Sequence, residues 1–202
     1  MVFLVIDRNA VNKIFTDYDS NINIDMIEFE TKEEAEYYLE YGILMQKNDE
    51  IIVFTDGACS KNGAKDAKAG IGVYFGLNDT KNVSKRIQGK QSNNTAEMLA
   101  IIEVFKILEN EIKQGKNVII YSDSKYAINT FTEWAPEWEK NNWTKKSKGE
   151  IKNIDIVKQG YQLFKVSNNV KLIHVRAHSN KTDYLSKGNE NADLLATNAL
   201  SN

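Results

Sequence analysis

Residues 51–57 read IIVFTDG. Ile51, Ile52, Val53 and Phe54 follow one another without a polar break, so neither side of a strand built from them faces water. Such a strand belongs at the centre of a sheet with both faces covered. It closes on Asp56. A second apolar run, NVIIYSD (117–123), closes on Asp123. Glu97 lies in NNTAEMLAII (93–102), at the start of a long amphipathic stretch, and Asp193 lies in GNENADLLA (188–196), at the start of the last one. In α/β sheets the ligand crevice forms where strands end and the facing helices begin. Four carboxylates gathered there repel one another, and hard cations with oxygen ligands, Mg²⁺ or Mn²⁺, relieve that repulsion. The pattern points to metal-assisted phosphoryl chemistry.

The flanking segments fit one sheet. KAGIGVYFG (68–76) and KNVSKRIQG (81–89) read as two further strands joined at Asn78 and Asp79, a meander with the first. Met98, Ile101, Ile102, Phe105, Leu108 and Ile112 recur at helical spacing. NVIIYS is a strand, SKYAINTFTEW (124–134) a helix, IKNIDIVKQGYQLF (151–164) helical, VKLIHVRA (170–177) a strand and ENADLLATNAL (190–200) a closing helix. Three hairpin-like strands followed by alternating helices and strands predict a mixed sheet with helices on both faces.

The chain has 202 residues, 42% hydrophobic and 27% charged, which suits a soluble globular domain with a small module attached. Its one cysteine, Cys59, excludes an internal disulfide framework and leads us to expect an intracellular, reducing compartment. The opening VFLVI is too short for a signal or a membrane span, and Asp7 and Arg8 follow it at once, so neither secretion nor a membrane partner is expected. Charge divides unevenly. Residues 1–49 hold 4 basic and 11 acidic side chains, and residues 50–202 hold 22 and 17, giving −7 and +5. Only the larger part would attract a polyanion. MQKNDE (45–50) reads as a linker between residues 1–44, a small N-terminal module, and residues 51–202. In the module MVFLVI and DMIEFE look like strands, and TKEEAEYYLEYG (31–42) looks like a helix with Thr31 and Glu34 as a capping box.

Each acid taken singly has an ordinary explanation. Glu97 stands three residues after Asn94, at capping-box spacing; Asp123 and Asp193 suit helix N-termini; Asp56 before Gly57 suits a turn. Their conjunction is what argues for a site. TDGACSKNG (55–63), GKQSNNTAEMLAI (89–101), YSDSKYAIN (121–129) and GNENADLLA, in this order and spacing, resemble the four motifs of ribonuclease H, type 1. The resemblance covers nearly all of residues 51–200. It implies an α/β ribonuclease H-like fold, a five-stranded mixed sheet with helices on both faces. It implies that Asp56, Glu97, Asp123 and Asp193 hold two Mg²⁺ ions, with Mn²⁺ as a substitute. The activity it implies is endonucleolytic hydrolysis of the RNA strand of RNA–DNA hybrids, leaving 3′-hydroxyl and 5′-phosphate ends, by a monomer.

The same resemblance assigns further residues. His178, in the polar loop AHSNKTDYLSKGNE (177–190), matches a histidine that assists proton transfer or product release, while His174 inside VKLIHVRA is read as structural. Asn62, Asn93 and Asn94 match positions that contact 2′-hydroxyls, with Gln91 beside them and backbone groups of Cys59 in the same set. Lys90, Ser92 and Asn153 correspond to a phosphate pocket, Lys90 replacing an arginine and so giving up bidentate geometry. EWAPEWEKNNWTKKSKGEIKN (133–153) resembles the basic protrusion of the cellular enzymes, where Trp134 and Trp138 line the DNA strand. Trp143 is read as packing. MIEFETKEEAEYYLE (26–40) resembles the end of the hybrid-binding domain that precedes many eukaryotic-type enzymes. NAVNKIFTDYDSNIN (9–23) replaces the basic and aromatic residues expected there, so the module is read as a diverged relative that binds a protein or holds hybrid only weakly. Two other readings are kept open: a duplex-RNA nuclease of the same broad fold, which the asparagines and protrusion oppose, and a non-catalytic nucleic-acid-binding protein, which the four intact acids oppose.

Overall fold

The computed structural model describes residues 2–5, 13–15, 26–29, 50–145, 149–177 and 184–201. The expected linker up to residue 49, the expected helix at 31–42 and the loop position of His178 lie outside them.

In the N-terminal part, β1 (Val2–Val5) pairs antiparallel with both β2 (Lys13–Phe15) and β3 (Met26–Phe29), in the order β2-β1-β3. β1 and β3 fall where strands are expected. The three-residue β2 is too short to show the alternation that marks a strand in sequence.

The larger part carries a five-stranded sheet in the order β6-β5-β4-β7-β8. IIVFTDG lies in β4 (Glu50–Ser60), at its centre. β5 (Lys68–Tyr74) and β6 (Val83–Arg86) complete the antiparallel meander, while β7 (Asn117–Ser122) and β8 (Val170–His174) add in parallel. The turn between β5 and β6 places Asn78 at φ 57°. Asn82 accepts from the Phe75 N–H at 2.7 Å and donates to the Gly76 carbonyl at 2.7 Å, closing that turn with one side chain.

Helix α1 (Asn93–Ile107) covers one face. Met98, Ile101, Ile102 and Leu108 are fully buried in a core shared with Val53, Val118 and Ile120. The short α2 (Glu109–Lys113) follows. After β7 come α3 (Lys125–Asn129), a π-helical turn Thr130–Trp134 and α4 (Ala135–Lys140), one run that outlasts the predicted helix by six residues. Pro136 explains the irregular turn. It has no N–H to offer and its ring crowds the preceding turn. The chain widens just before it, with the Ala135 N–H donating to the Thr130 carbonyl five residues back. Helix α5 (Ile154–Val166) seats Gly160 directly on the Phe131 ring, where an added Cβ would lie 2.2 Å from the nearest ring carbon.

The opposite face is covered by α6 (Tyr184–Asn198). It crosses β5 at Gly72, where a Cβ would lie 2.0 Å from the Ala192 carbonyl oxygen. This helix begins six residues before its predicted start. Its first half, YLSKGNEN, has little apolar period to announce it. Tertiary packing holds it instead, through Gly188 against the Phe54 ring and Tyr184 edge-on to that ring at 5.2 Å. Among the described residues no helix is long and apolar enough to cross a membrane.

Candidate active site

The site forms where the parallel half of the sheet ends. Strand β7 stops at Ser122, opposite Thr55, and Asp123 follows it. Strand β4 runs on to Ser60 because β5 still pairs with it. Asp56 therefore sits inside the central strand, four residues before its end, and not at its tip. Its cross-strand partner is Gly72. Asp193 follows Ala192 on the helix that crosses Gly72, well inside α6 and not at its start, so attraction to a helix N-terminus does not explain this acid. Glu97 is in the second turn of α1, whose N-cap is Ser92, with Thr95 N–H donating to Ser92 Oγ at 3.3 Å. The capping-box explanation of Glu97 thereby fails, since the third helical position is Thr95.

Carboxylate oxygens of Asp56, Glu97 and Asp123 all lie within 4.8 Å of one another. Asp56 and Glu97 are buried, with relative exposures of 7% and 6%. Asp56 is pushed up to about 7, first by burial, then by the charge of Asp123, with Asp193 adding charge and a carboxyl–carboxyl hydrogen bond. Glu97 is pushed well above its ordinary range by burial and then by the charges of Asp56 and Asp123. Gly57 N–H donates to Asp56 Oδ1 at 2.8 Å, and Asn93 Nδ2 to Glu97 Oε1 at 3.2 Å. Glu97 Oε2 is buried without a hydrogen-bond partner. An oxygen-only cluster with such an orphaned carboxylate atom has the donor set of a hard divalent cation.

The structure adds a residue that the sequence reading passed over. Asn189 is buried in α6 and its Nδ2 donates to Asp123 Oδ2 at 3.0 Å. It stands four residues before Asp193, so it shares that acid's side of the helix, which is the signal that could have marked it. Groups that orient ligating carboxylates typically matter by about 10–100-fold in metal affinity or activity, and we expect Asn189→Ala to lose activity on that scale while unfolding as cooperatively as wild type. Unaltered turnover and metal titration for this variant would leave the hydrogen bond without consequence.

The substrate residues are distributed as follows. Asn62, Lys90, Ser92, Asn94 and Asn153 line one pocket, joined by Lys152 of the expected basic run and by Tyr126, which was not anticipated. Asn153 adopts a left-handed conformation (φ 55°) ahead of α5, and its Oδ1 accepts from Lys90 Nζ at 3.1 Å. Asn93 N–H donates to Asn62 Oδ1 at 3.3 Å, which ties this pocket to the Asn93–Glu97 bond. Gln91 is placed differently from expectation. Its amide accepts from Ala69 N–H at 2.7 Å and donates to the Ile87 and Gly89 carbonyls, so it braces the loop with both its N–H groups engaged. Cys59 is half-buried and burial pushes its thiol up, against any nucleophilic role. Tyr126, Trp134 and Trp138 form a row, with ring centroids 5.6 and 6.1 Å apart, and Lys145 Nζ lies 6.0 Å from the Trp138 ring. Trp143 instead packs against Tyr161 at 6.1 Å.

Comparison with known proteins agrees with this geometry. The family model described as RNase H matches residues 48–201. The chain is 36% identical over 185 residues to a ribonuclease H of Schizosaccharomyces pombe, covering 91% of this chain and 62% of that protein. It is 34% identical over 154 residues to ribonuclease H1 of Mus musculus, covering 73% of this chain and 49% of that one. It is 39% identical over 134 residues to a ribonuclease H of Caldicellulosiruptor saccharolyticus, covering 66% and 87%. The chain thus spans less than two thirds of the first two relatives' length. Among solved structures, the PFV RNase H domain superposes with a TM-score of 0.58 at 21% identity, over 74% of this chain and 93% of that one. LC9-RNase H1, a type 1 RNase H with the type 2 active-site motif, superposes with a TM-score of 0.55 at 24% identity, over 75% and 72%.

Proposed function

Because the chain belongs to the ribonuclease H family, type 1, we propose that it is a divalent-metal-dependent endoribonuclease that cuts the RNA strand of RNA–DNA hybrids and leaves 3′-hydroxyl and 5′-phosphate ends. The observation that carries this reading is the Asp56–Glu97–Asp123 cluster, two of its acids buried and the third half-buried, with the Glu97 Oε2 atom left without a partner. Two Mg²⁺ ions, or Mn²⁺ in their place, held by these three acids and Asp193, would supply the positive charge that steadies the attacking and leaving oxygens of the scissile phosphate. The chain's own residues do the rest. Asn62, Asn93 and Asn94 present amide donors and acceptors to ribose 2′-hydroxyls, the sugar group that separates RNA from DNA. Asn93 links that recognition to the chemistry through its bond to Glu97. Lys90, Ser92, Lys152 and Asn153 receive a phosphate of the DNA strand, and the Trp134–Trp138 row carries its sugars. His178 moves a proton to or from the departing groups. Cleavage of a labelled hybrid, with and without Mg²⁺ and beside duplex RNA and duplex DNA, tests the assignment; metal-independent cutting or a preference for duplex RNA refutes it.

Two further results are expected. Neutralising Lys145, Lys146, Lys148 and Lys152 lowers the slope of log affinity against log salt by about 0.9 for each phosphate no longer neutralised. An unchanged slope would mean that these lysines face only solvent. Deleting residues 1–48 leaves a folded nuclease, because every site residue described above follows them. The deleted part has a net charge of −6, so hybrid affinity stays level or tightens slightly. A tenfold loss, about 1.4 kcal/mol, would show that the module grips nucleic acid despite its charge.

A further inference from the structure

Glu139 is the last of three glutamates, after Glu133 and Glu137, that stand just before the lysine run. It lies in the tryptophan-rich segment that the proposed function lays along a polyanion. Of the neighbouring acids, Glu137 is paired with Lys140 on its own helix. Glu139 reaches away to a different helix. Its carboxylate accepts from Tyr161 Oη at 3.0 Å, from Gln162 Nε2 at 3.3 Å and from Lys165 Nζ at 2.9 Å on both oxygens. The Lys165 bond holds Glu139 below its ordinary range, and the same bond raises Lys165. All three donors lie on α5, within one and a half turns. Tyr161 also carries the Trp143 ring, over which Lys158 Nζ lies at 5.1 Å. The chain reverses there through two left-handed residues, Asn142 at φ 50° and Trp143 at φ 58°. The residue before Glu139 is Trp138, whose ring joins Trp134 and Lys145.

We propose that Glu139 is a positioning residue for nucleic-acid binding: it clamps α4 to α5 and so holds the Trp134–Trp138 row and the start of the lysine run ready for the DNA strand, a role that rests on the hybrid-binding reading above. A segment already held in its bound shape loses less freedom on binding. An isolated surface ion pair contributes little, but four bonds converging on one carboxylate form a network that fixes geometry. The clamp and simple electrostatics make opposite predictions, because removing an acid from a surface laid along a polyanion should tighten binding.

The test compares wild type, Glu139→Ala, Tyr161→Phe, Lys165→Met and the Glu139→Ala/Lys165→Met pair in the full chain. KM and kcat are measured on a labelled hybrid, alongside thermal unfolding and tryptophan emission without nucleic acid. The three tryptophans of the chain all lie in this segment, so emission reports on it alone. We expect Glu139→Ala to raise KM about fivefold with kcat within about twofold, and to shift the emission. Tyr161→Phe, which alters no charge, raises KM by less. The double variant is no weaker than the worse single one, as for residues acting through one shared interaction. An unchanged or lower KM for Glu139→Ala overturns the clamp. If that variant does not fold, an unchanged KM for Tyr161→Phe overturns it instead. Failure of wild type to cut hybrid would strike the functional reading, whereas a failure confined to the variants strikes the clamp.

Discussion

The Asp56→Asn variant is expected to lose hybrid cleavage by at least about 10³-fold, the scale on which several kcal/mol of charge stabilisation disappear. It should also be the more heat-stable protein in metal-free buffer. The substitution keeps the volume of the side chain and removes a charge that is buried beside Asp123 and Asp193. The pH dependence follows from the raised pKa. An acid whose folded pKa lies above its unfolded value stabilises the fold fully below the unfolded value, here 3.8, and loses that contribution as pH rises through about 7. Asparagine has no such loss. The gap in Tm between variant and wild type should therefore open between about pH 4 and 7 and stay open above. Mg²⁺ should then narrow it by binding only the wild type tightly. Wild-type turnover by a folded Asp56→Asn protein would remove Asp56 from the site, and a Tm gap that closes with rising pH would contradict the electrostatic account.

Gly57→Ala should damage fold and chemistry together. A Cβ at Gly57 would lie 2.3 Å from the Glu97 backbone nitrogen and 2.6 Å from the Ala96 carbonyl carbon. Neither is the end of a flexible side chain. The helix must retreat from the central strand, at a cost of about 1–3 kcal/mol typical of overpacking, and Glu97 goes with it. A shift of about 1 Å in a catalytic group costs on the order of 10²-fold in rate. Gly76, whose added Cβ would meet nothing within 4 Å, supplies the control, since Gly76→Ala should change neither Tm nor turnover appreciably. Equal behaviour of the two alanine variants would mean that α1 is not seated on β4 in solution as described.

Much of this is readable from the chain itself, for identifiable reasons. The continuous apolar run at Ile51–Phe54 announces a central strand, and turn residues at fixed offsets announce the meander around it. The apolar period from Met98 to Leu108 announces α1. What escapes depends on packing between residues distant in sequence. The first half of α6 is polar and is held by Phe54, more than 130 positions earlier, so its start is misjudged and Asp193 is placed at a helix end. The amide of Gln91 suits ribose recognition by type, yet backbone groups of the neighbouring strand and loop engage it. Pro136 can be read as a break, but the reach of the Ala135 N–H to the carbonyl of Thr130, five residues back, cannot. The four acids are legible as a set, and the Asn189 bond to Asp123 is not, because it exists only once the last helix has crossed the sheet.

That dependence on the last helix bears on how the protein is made. Strands β4, β5 and β6 and helix α1 are local in the chain and can associate while later residues are still being added. The sheet's parallel half must wait for β7 and β8. Asp193 and Asn189 arrive last of all, long after Asp56, Glu97 and Asp123 have left the ribosome. A growing chain can therefore assemble the first part of its core while the carboxylate cluster still lacks Asp193 beside it and the Asn189 bond to Asp123.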